Sequence, residues 1–157
     1  MEASQAVALR SLLESQQVAS LATLHRGDPS VSMVPYALLP QGRGFVIHVS
    51  SLATHTADML AHPAVALLVT APPHTAASPQ ELQRASVQGR ANPCPAGSPG
   101  HVEARAAYLS RFSQSEELFS FADFSLVVIT VRSVRFIGGF AKATSILAEE
   151  FSTVMGA

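Results

Sequence analysis

The chain has 157 residues, of which 48% are hydrophobic and only 13% are charged, and its formal net charge at pH 7 is -1. This length favours one domain over residues 1–157, and the near-zero charge excludes the basic surface that a nucleic-acid-binding protein needs. Because the charged fraction is about half that of a typical soluble domain, we expect a partner to cover much of the surface, and a second copy of the chain is the simplest partner.

The N-terminal segment and the cysteine content bear on the compartment. The apolar residues of segment 1–17 are periodic rather than continuous, unlike a signal peptide, and no apolar run approaches the roughly 20 residues that cross a membrane. The single cysteine, Cys94, excludes an internal disulfide and a cysteine-rich zinc site. We therefore predict a cytoplasmic protein with no membrane or nucleic-acid partner.

The first half of the chain alternates short apolar runs with turn signals. Segment 4–17 has the apolar spacing of a helix, and the turn 25–29 joins two strand-like runs into a hairpin. Pro35 cannot donate a hydrogen bond within a sheet, so the second of these strands is predicted to be an edge strand or bulged. The elements predicted here are helices over 4–17 and 54–61 and strands over 18–24, 30–38, 45–49 and 64–70.

The second half continues the pattern around proline-rich loops. Gly89 interrupts an alternating strand and predicts a bulge or a close backbone approach. The elements predicted here are strands over 82–91, 124–131 and 136–140, helices over 102–112 and 144–151, loops over 72–79 and 92–100, and a tight connection over 132–135. Hairpin-length turns between most strands indicate antiparallel pairing. The predicted fold is α+β and mainly β, an antiparallel barrel of six to seven strands flanked by helices.

A polar elbow separates the strand 45–49 from the helix 54–61. Ser50 and Ser51 follow the strand, and Thr54, His55 and Thr56 open the helix. Hydroxyls, an imidazole and free backbone N–H groups at the positive end of a helix dipole together make a natural seat for a phosphate. The alternative is a cluster of capping residues that only starts the helix, a common role of serine and threonine.

Two further polar groups have ordinary alternatives. A metal site is conceivable on the helix face shared by His55, Asp58 and His62, but the spacing matches no known ligand pattern and a solvated face explains it, so no metal site is predicted. One face of the strand 82–91 either recognises a phosphate or flavin carbonyls, with Arg84 as the anion partner, or faces solvent. This face consists of Arg84, Ser86, Gln88 and Arg90. No nucleophile elbow is present, and no catalytic acid or base is assigned.

Four segments carry more information through their order and spacing. They are ASLATLHRGDPSVSMVPYAL (19–38), HVSSLATHTADMLAHPAVALLVT (48–70), LQRASVQGRA (82–91) and FADFSLVVITVRSVRFIGGFAKAT (121–144). Together they resemble the pyridoxamine 5'-phosphate oxidase-like FMN-binding split β-barrels, and more closely the haem-utilisation branch of that group. The resemblance implies a homodimeric split barrel with two equivalent cofactor sites at the subunit interface.

The resemblance also implies which residues hold FMN. Segment 32–36 would pass along the isoalloxazine ring, segments 49–51 and 54–56 would hold the phosphate, and Arg84 would add a polar contact from the next strand. The implied cofactor-binding residues are Ser32, Met33, Val34, Pro35, Tyr36, Val49, Ser50, Ser51, Thr54, His55, Thr56 and Arg84.

Departures from the family pattern shape the functional prediction. Thr54 and His55 stand where pyridoxamine phosphate oxidases carry an Arg-Lys pair, Ala57 stands where the related branch often has an arginine, and the C-terminal substrate motif of the vitamin B6 enzyme is absent. We therefore predict an FMN-dependent oxidoreductase that acts on an unidentified small substrate and is not a true pyridoxamine phosphate oxidase.

Two alternatives remain open for the function. The first is a haem-binding, haem-utilisation protein; the haem-binding relatives use a C-terminal histidine as iron ligand, whereas all six histidines here lie at or before His101. The second is a cofactor-free dimer that acts through protein contacts, which the loss of basic residues at 54, 55 and 57 favours.

Overall fold

The computed structural model describes residues 1–140 and 142–157, and Ala141, within the quoted segment 121–144, lies outside the described residues. The helices are α1 (Ala3–Ser15), α2 (Thr54–Ala61), α3 (His101–Arg111) and α4 (Ala148–Gly156). The strands are β1 (Val18–His25), β2 (Asp28–Pro35), β3 (Ala37–Leu38), β4 (Phe45–Ser50), β5 (Ala64–Thr70), β6 (Arg84–Cys94), β7 (Phe124–Ile137) and β8 (Ala143–Leu147). None of the helices described is long and apolar enough to cross a membrane.

The predicted hairpin near the N-terminus is confirmed. Strands β1 and β2 pair over their full length, ending with His25 opposite Asp28. Arg26 and Gly27 form a two-residue turn in which φ is 52° and 91°. Two positive φ angles belong to the tight turn whose twist matches that of paired strands. Pro35 ends β2 at the edge of the sheet, where its missing N–H costs no ladder hydrogen bond.

The strands form one curled sheet in which every pair is antiparallel. The order is β2-β1-β5-β6-β7-β4-β3, and β8 pairs with β7. The two outermost strands, β2 and β3, are separated in sequence only by Tyr36, so the sheet must curl round to bring its edges together. The predicted α+β antiparallel split barrel with flanking helices is confirmed. It has eight strands, because the strand predicted over 30–38 divides at Tyr36 into β2 and β3, and β8 forms where the last helix was predicted to begin.

Apolar side chains pack on both sides of this sheet. Inside the curl, Phe45 and Ile47 of β4 meet Leu13 of α1 and Phe151 of α4, and all four are fully buried. A second cluster lies beneath α3, on the outer side of β4 and β7, and contains Val46, Leu126, Cys94, Tyr108 and Phe112. Strand β4 is therefore covered on both faces. This packing fixes the position of the elbow that follows the strand.

The predicted tight connection over 132–135 is wrong, because β7 runs unbroken from Phe124 to Ile137. Its partner β6 continues past Gly89, where the register shifts so that Arg132 is left without an opposite residue. This bulge changes which residues point inward, from Ile129 before it to Val134 after it, both fully buried. Because the bulge interrupts the alternation of buried and exposed residues, the sequence at this point resembles a turn between two strands.

Three neighbouring predictions also need correction. Only residues 136–137 of the strand predicted over 136–140 are extended, as the end of β7, and the returning strand is β8, whose Ile146 is 2% exposed. The last helix begins at Ala148 rather than at Thr144, because Thr144 and Ile146 first pair with β7. The loop predicted over 92–100 begins after Cys94, which is buried as the last residue of β6.

Candidate functional site

The elbow after β4 is closed by its own hydrogen bonds. The Ser50 hydroxyl donates to Asp123 Oδ2 at 2.8 Å and accepts from the Leu52 N–H at 3.1 Å. The Thr56 hydroxyl donates to the Ser50 carbonyl at 2.6 Å, and the Ser51 N–H donates to the Asp123 carbonyl at 2.6 Å. Two of the predicted phosphate-binding hydroxyls are therefore engaged within the chain, and a carboxylate lies beside them.

The polar residues of the elbow do not cap α2 through their side chains. The N-cap position is Ala53, and no side chain accepts a hydrogen bond from the first turn of the helix. Ser51 and Thr54 are exposed. The Thr56 N–H donates to the Ala53 carbonyl at 3.1 Å, and by general helix geometry the N–H groups before it lack intrahelical acceptors, so this turn keeps the partial positive charge of a helix start.

Helix α2 connects the two segments predicted to hold FMN, 32–36 on β2 and 54–56 at the helix start. His55 Nδ1 lies 3.2 Å from the Ser32 hydroxyl of β2. Partial burial lowers the pKa of His55, and the nearby Asp58 carboxylate partly opposes that shift. The imidazole therefore favours its neutral form, and it does not replace the fixed positive charge of a lysine or arginine at this position.

Asp58 organises a cluster that the sequence analysis missed. Its side chain is buried, at 6% exposed, and its two oxygens accept from different residues of β1. Oδ1 lies 2.8 Å from His25 Nδ1, and Oδ2 accepts from the Thr23 hydroxyl at 3.2 Å. Thr23 and His25 lie two residues apart on one face of the strand, and this spacing of two polar residues was the sequence feature that could have indicated the cluster. Because His62 is exposed and Asp58 turns inward, the helix face considered for a metal is not assembled.

The predicted residues on and after β2 separate into two groups. Val34 and Tyr36 are buried, as is Val49 of β4, whereas Met33 and Pro35 are exposed. The Tyr36 hydroxyl donates to the Leu13 carbonyl at 2.7 Å, and burial raises the pKa of Tyr36 above its ordinary value. In this chain Tyr36 serves the core, and Ser32, Met33 and Pro35 are the residues of the segment that are accessible.

Arg84 does not reach the elbow within one chain. It pairs with Ile137 at one end of β7, whereas Ser50 pairs with Phe124 at the other end. Its Nη1 atom donates to the Leu82 carbonyl at 2.9 Å. A cofactor that contacts both Arg84 and Ser50 would need these residues from different copies of the chain.

The outer face of the sheet is uncharged and partly apolar across β2, β1 and β5, whereas β6 carries Arg84 and Arg90 on this face. Strand pairing places Val31, Ala22, Ala66 and Gln88 in one row across β2, β1, β5 and β6. The adjacent row contains Met33, Ser20, Leu68 and Ser86. Val31 is 70% exposed, Met33 63% and Leu68 38%. Exposed apolar patches of this kind are typical of protein interfaces.

A separate cavity of about 620 Å³ lies between the sheet, α3 and the 3₁₀ segment Ser113–Ser120. His48 of β4 stacks on Phe119, with ring centroids 4.0 Å apart. Its Nδ1 atom is buried and has no hydrogen-bond partner among the described residues. Burial, with a smaller contribution from the charge of His101, lowers the pKa of His48 to about 4. The other lining residues include Arg105, Glu116 and Phe124.

This pKa predicts that the fold weakens in mild acid. The unfolded chain protonates His48 near its ordinary pKa of 6.5, whereas the folded chain does so near 4, so between these values unfolding takes up a proton. Between pH 7 and pH 5 we expect the wild type to lose about 1–2 kcal/mol more unfolding free energy than His48→Phe, which keeps the stacking. Urea unfolding at both pH values measures this difference, and equal losses would contradict the assignment.

Comparison with known proteins gives consistent matches. Residues 7–138 match the profile of the pyridoxamine 5'-phosphate oxidase family. A chloroplastic Arabidopsis thaliana protein, the non-canonical heme oxygenase HOZ, is 30% identical over 138 residues, covering 86% of this chain and 40% of the relative. The chain therefore spans less than half the length of this relative.

Solved structures share the fold. A heme-binding protein from Mycobacterium smegmatis superposes with a TM-score of 0.86 at 30% identity, covering 98% of this chain and 62% of that one. HutZ, the heme storage protein of Vibrio cholerae, superposes with a TM-score of 0.72 at 18% identity, covering 88% of this chain and 91% of that one. At that lower identity the second likeness supports the fold alone.

Proposed function

The chain belongs to the pyridoxamine 5'-phosphate oxidase family. Within this family we propose that it is a haem-binding protein of the haem-utilisation type. The observation that carries this proposal is the elbow itself, whose hydroxyls are engaged within the chain beside the Asp123 carboxylate. The two relatives that are 30% identical, one named a heme oxygenase and one a heme-binding protein, also support a haem-related function.

The elbow is a poor match for the phosphate of FMN. That group carries close to two negative charges, and each buried or half-buried carboxylate nearby opposes it. Residues 48–62 contain no lysine or arginine, and the only titratable base at the start of the helix, His55, favours its neutral form. FMN-dependent oxidoreduction on a small substrate remains the second candidate, favoured by the exposed Ser51 and Thr54 at the positive end of α2.

Haem is a better match for the low charge of this region. It takes apolar contacts for its ring and an axial ligand, often an imidazole, for its iron, and its two propionates can stay in water. Val31 and Met33 offer exposed apolar side chains on the outer face of β2, and His25 and His55 offer imidazoles on the opposite face of the hairpin, beside α2. When bound, haem would supply the redox and oxygen chemistry, and the chain would supply ligation, orientation and shielding from water.

We further propose that the outer face of the sheet pairs with a second copy of the chain. An interface built on the rows through Ala66 and Leu68 would cover apolar surface that one copy leaves exposed. It would also allow residues near α2 of one copy and residues such as Arg84 of the other to share a cofactor site. The low charged fraction of the chain supports this arrangement.

Parallel titration of the purified protein with hemin and with FMN tests the choice of cofactor. We expect a saturable Soret band with a dissociation constant near or below ~1 μM, equivalent to about 8 kcal/mol of binding free energy, and much weaker quenching of FMN fluorescence. Tight FMN binding without a Soret change would overturn the haem proposal in favour of the flavoprotein. No response to either compound would point to the cofactor-free dimer.

A further inference from the structure

We propose that the cavity beneath α3 is a second binding site, and that it takes an uncharged, planar heteroaromatic compound. Its volume of about 620 Å³ lies within the range of small-molecule sites. Val31, Met33, His25 and His55, the residues considered for haem, do not line this cavity. The inference therefore goes beyond the proposed haem function and does not depend on it.

Aromatic side chains form much of the cavity wall. Phe119 stacks on the imidazole of His48 with the two ring planes 15° apart, and the ring of Phe124 lies 5.3 Å from the same imidazole. Tyr108 of α3 makes an edge contact with His48 at a centroid distance of 5.6 Å. Flat apolar walls favour a flat ligand, because stacked and edge-to-face contacts between rings add attraction to the burial of their surface.

His48 offers the cavity a hydrogen-bond donor. Its Nδ1 atom is buried without a partner among the described residues, and buried N–H groups without a partner are rarer in proteins than buried acceptors without one. Burial lowers the pKa of His48 to about 4, so the ring is neutral at pH 7 and carries one hydrogen. That hydrogen is therefore expected on Nε2, the nitrogen that remains for contact with a ligand.

His101, the first residue of α3, offers the complementary acceptor. Its Nδ1 atom lies 2.9 Å from the Cys94 carbonyl oxygen, and because a carbonyl only accepts, the hydrogen resides on Nδ1. The lone pair of the neutral ring is then on Nε2. Both imidazoles line the cavity, and the charge of His101 acts on His48. A ring compound with both an acceptor and a donor on its edge can engage the two histidines.

The charged groups at the cavity already have partners. The Arg105 guanidinium lies 5.0 Å from the centre of the Phe119 ring, and its Nη2 atom lies 3.5 Å from Glu116 Oε1. An anionic ligand would meet the Glu116 carboxylate, and a cationic ligand would meet the Arg105 guanidinium. Neither would find a counter-charge without breaking this pair, so an uncharged compound fits best.

The experiment titrates the protein with isocarbostyril, an uncharged bicyclic lactam with an N–H beside a carbonyl. Nitrogen NMR of the labelled histidines follows the binding. We expect the Nε2 resonances of His48 and His101 to shift, with a dissociation constant of roughly 0.1–1 mM, which is ordinary for a compound of about eleven non-hydrogen atoms. Naphthoate, which is similar in size but carries a carboxylate, should bind at least about 5-fold more weakly.

Three variants locate the bound compound. His48→Phe keeps the stacking but removes the donor, so we expect the affinity for isocarbostyril to fall about 5–10-fold. Ala96 is exposed at the cavity wall, and Ala96→Trp should fill the space and abolish binding. Ala77→Trp adds the same side chain at an exposed alanine that does not line this cavity, and it should bind as the wild type does. Circular dichroism checks that each variant is folded.

Each other outcome overturns the proposal. Wild-type histidine resonances that do not shift at millimolar isocarbostyril refute the site without reference to any variant. Binding that persists in Ala96→Trp places the compound elsewhere on the protein. Naphthoate that binds more tightly than isocarbostyril refutes the uncharged class of ligand. Hemin titration of the same variants should match that of the wild type, so the result for this cavity is independent of the result for haem.

Discussion

A glutamate in place of Leu68 is expected to convert the proposed dimer into monomers. Leu68 lies at the centre of the proposed interface, on β5, with Ser20 and Ser86 opposite it on the neighbouring strands. It is 38% exposed in one copy, so a single chain can accept the charge. In a dimer the carboxylate would lose its water with uncharged serines directly opposite it, and Arg84, its diagonal neighbour on β6, already donates to the Leu82 carbonyl. We expect a penalty of about 3 kcal/mol or more, which raises the dimer dissociation constant over ~100-fold.

Sedimentation velocity over a range of concentrations measures this change. Val102→Glu is a matched control, because Val102 is an 82% exposed apolar residue on α3, away from the outer sheet face. The control should remain dimeric, and both variants should keep the unfolding behaviour expected of a folded barrel. Haem affinity should fall together with dimerisation in Leu68→Glu, since the proposed site lies at the interface. A Leu68→Glu dimer as tight as the wild type would remove this face as the interface.

Replacing Gly89 by valine is expected to damage the fold severely. A Cβ atom at this position would lie 2.7 Å from Ile129 Cγ2 and 2.7 Å from the Thr130 carbonyl oxygen. The Ile129 side chain can adjust, but the Thr130 carbonyl belongs to the backbone of β7 at the bulge and cannot move without disturbing the ladder. We expect Gly89→Ala to cost about 1–3 kcal/mol and Gly89→Val about 3 kcal/mol or more of unfolding free energy.

The control for this change is a glycine that has room. Gly97→Asn places a side chain where no heavy atom lies within 4 Å of the added Cβ, and asparagine tolerates the φ of 83° found there. Its unfolding free energy should stay within about 0.5 kcal/mol of the wild type. Urea denaturation compares the three variants. If Gly89→Val unfolds at the same urea concentration as Gly97→Asn, the close approach of β6 to β7 is not rigid.

Features that depend on neighbouring residues were predictable from the sequence. The two-residue turn at Arg26 and Gly27, the limits of α2 and the bulge at Gly89 each follow from local backbone chemistry or local periodicity. The antiparallel barrel follows from hairpin-length connections, and the resemblance added the family. The errors cluster where periodicity fails, above all at the bulge beside Arg132, which breaks the alternation within a single long strand.

The sequence by itself determined most of the strands, the elbow and the residues that line it, because helix, turn and strand signals act over a few positions. Only the tertiary structure decided which of those residues are available. Asp123 takes the hydroxyl of Ser50 from 73 positions away, and Asp58 faces His25 rather than solvent. Such pairings depend on how the sheet curls, and burial in that curl is what turns a polar side chain from a free ligand into a structural partner.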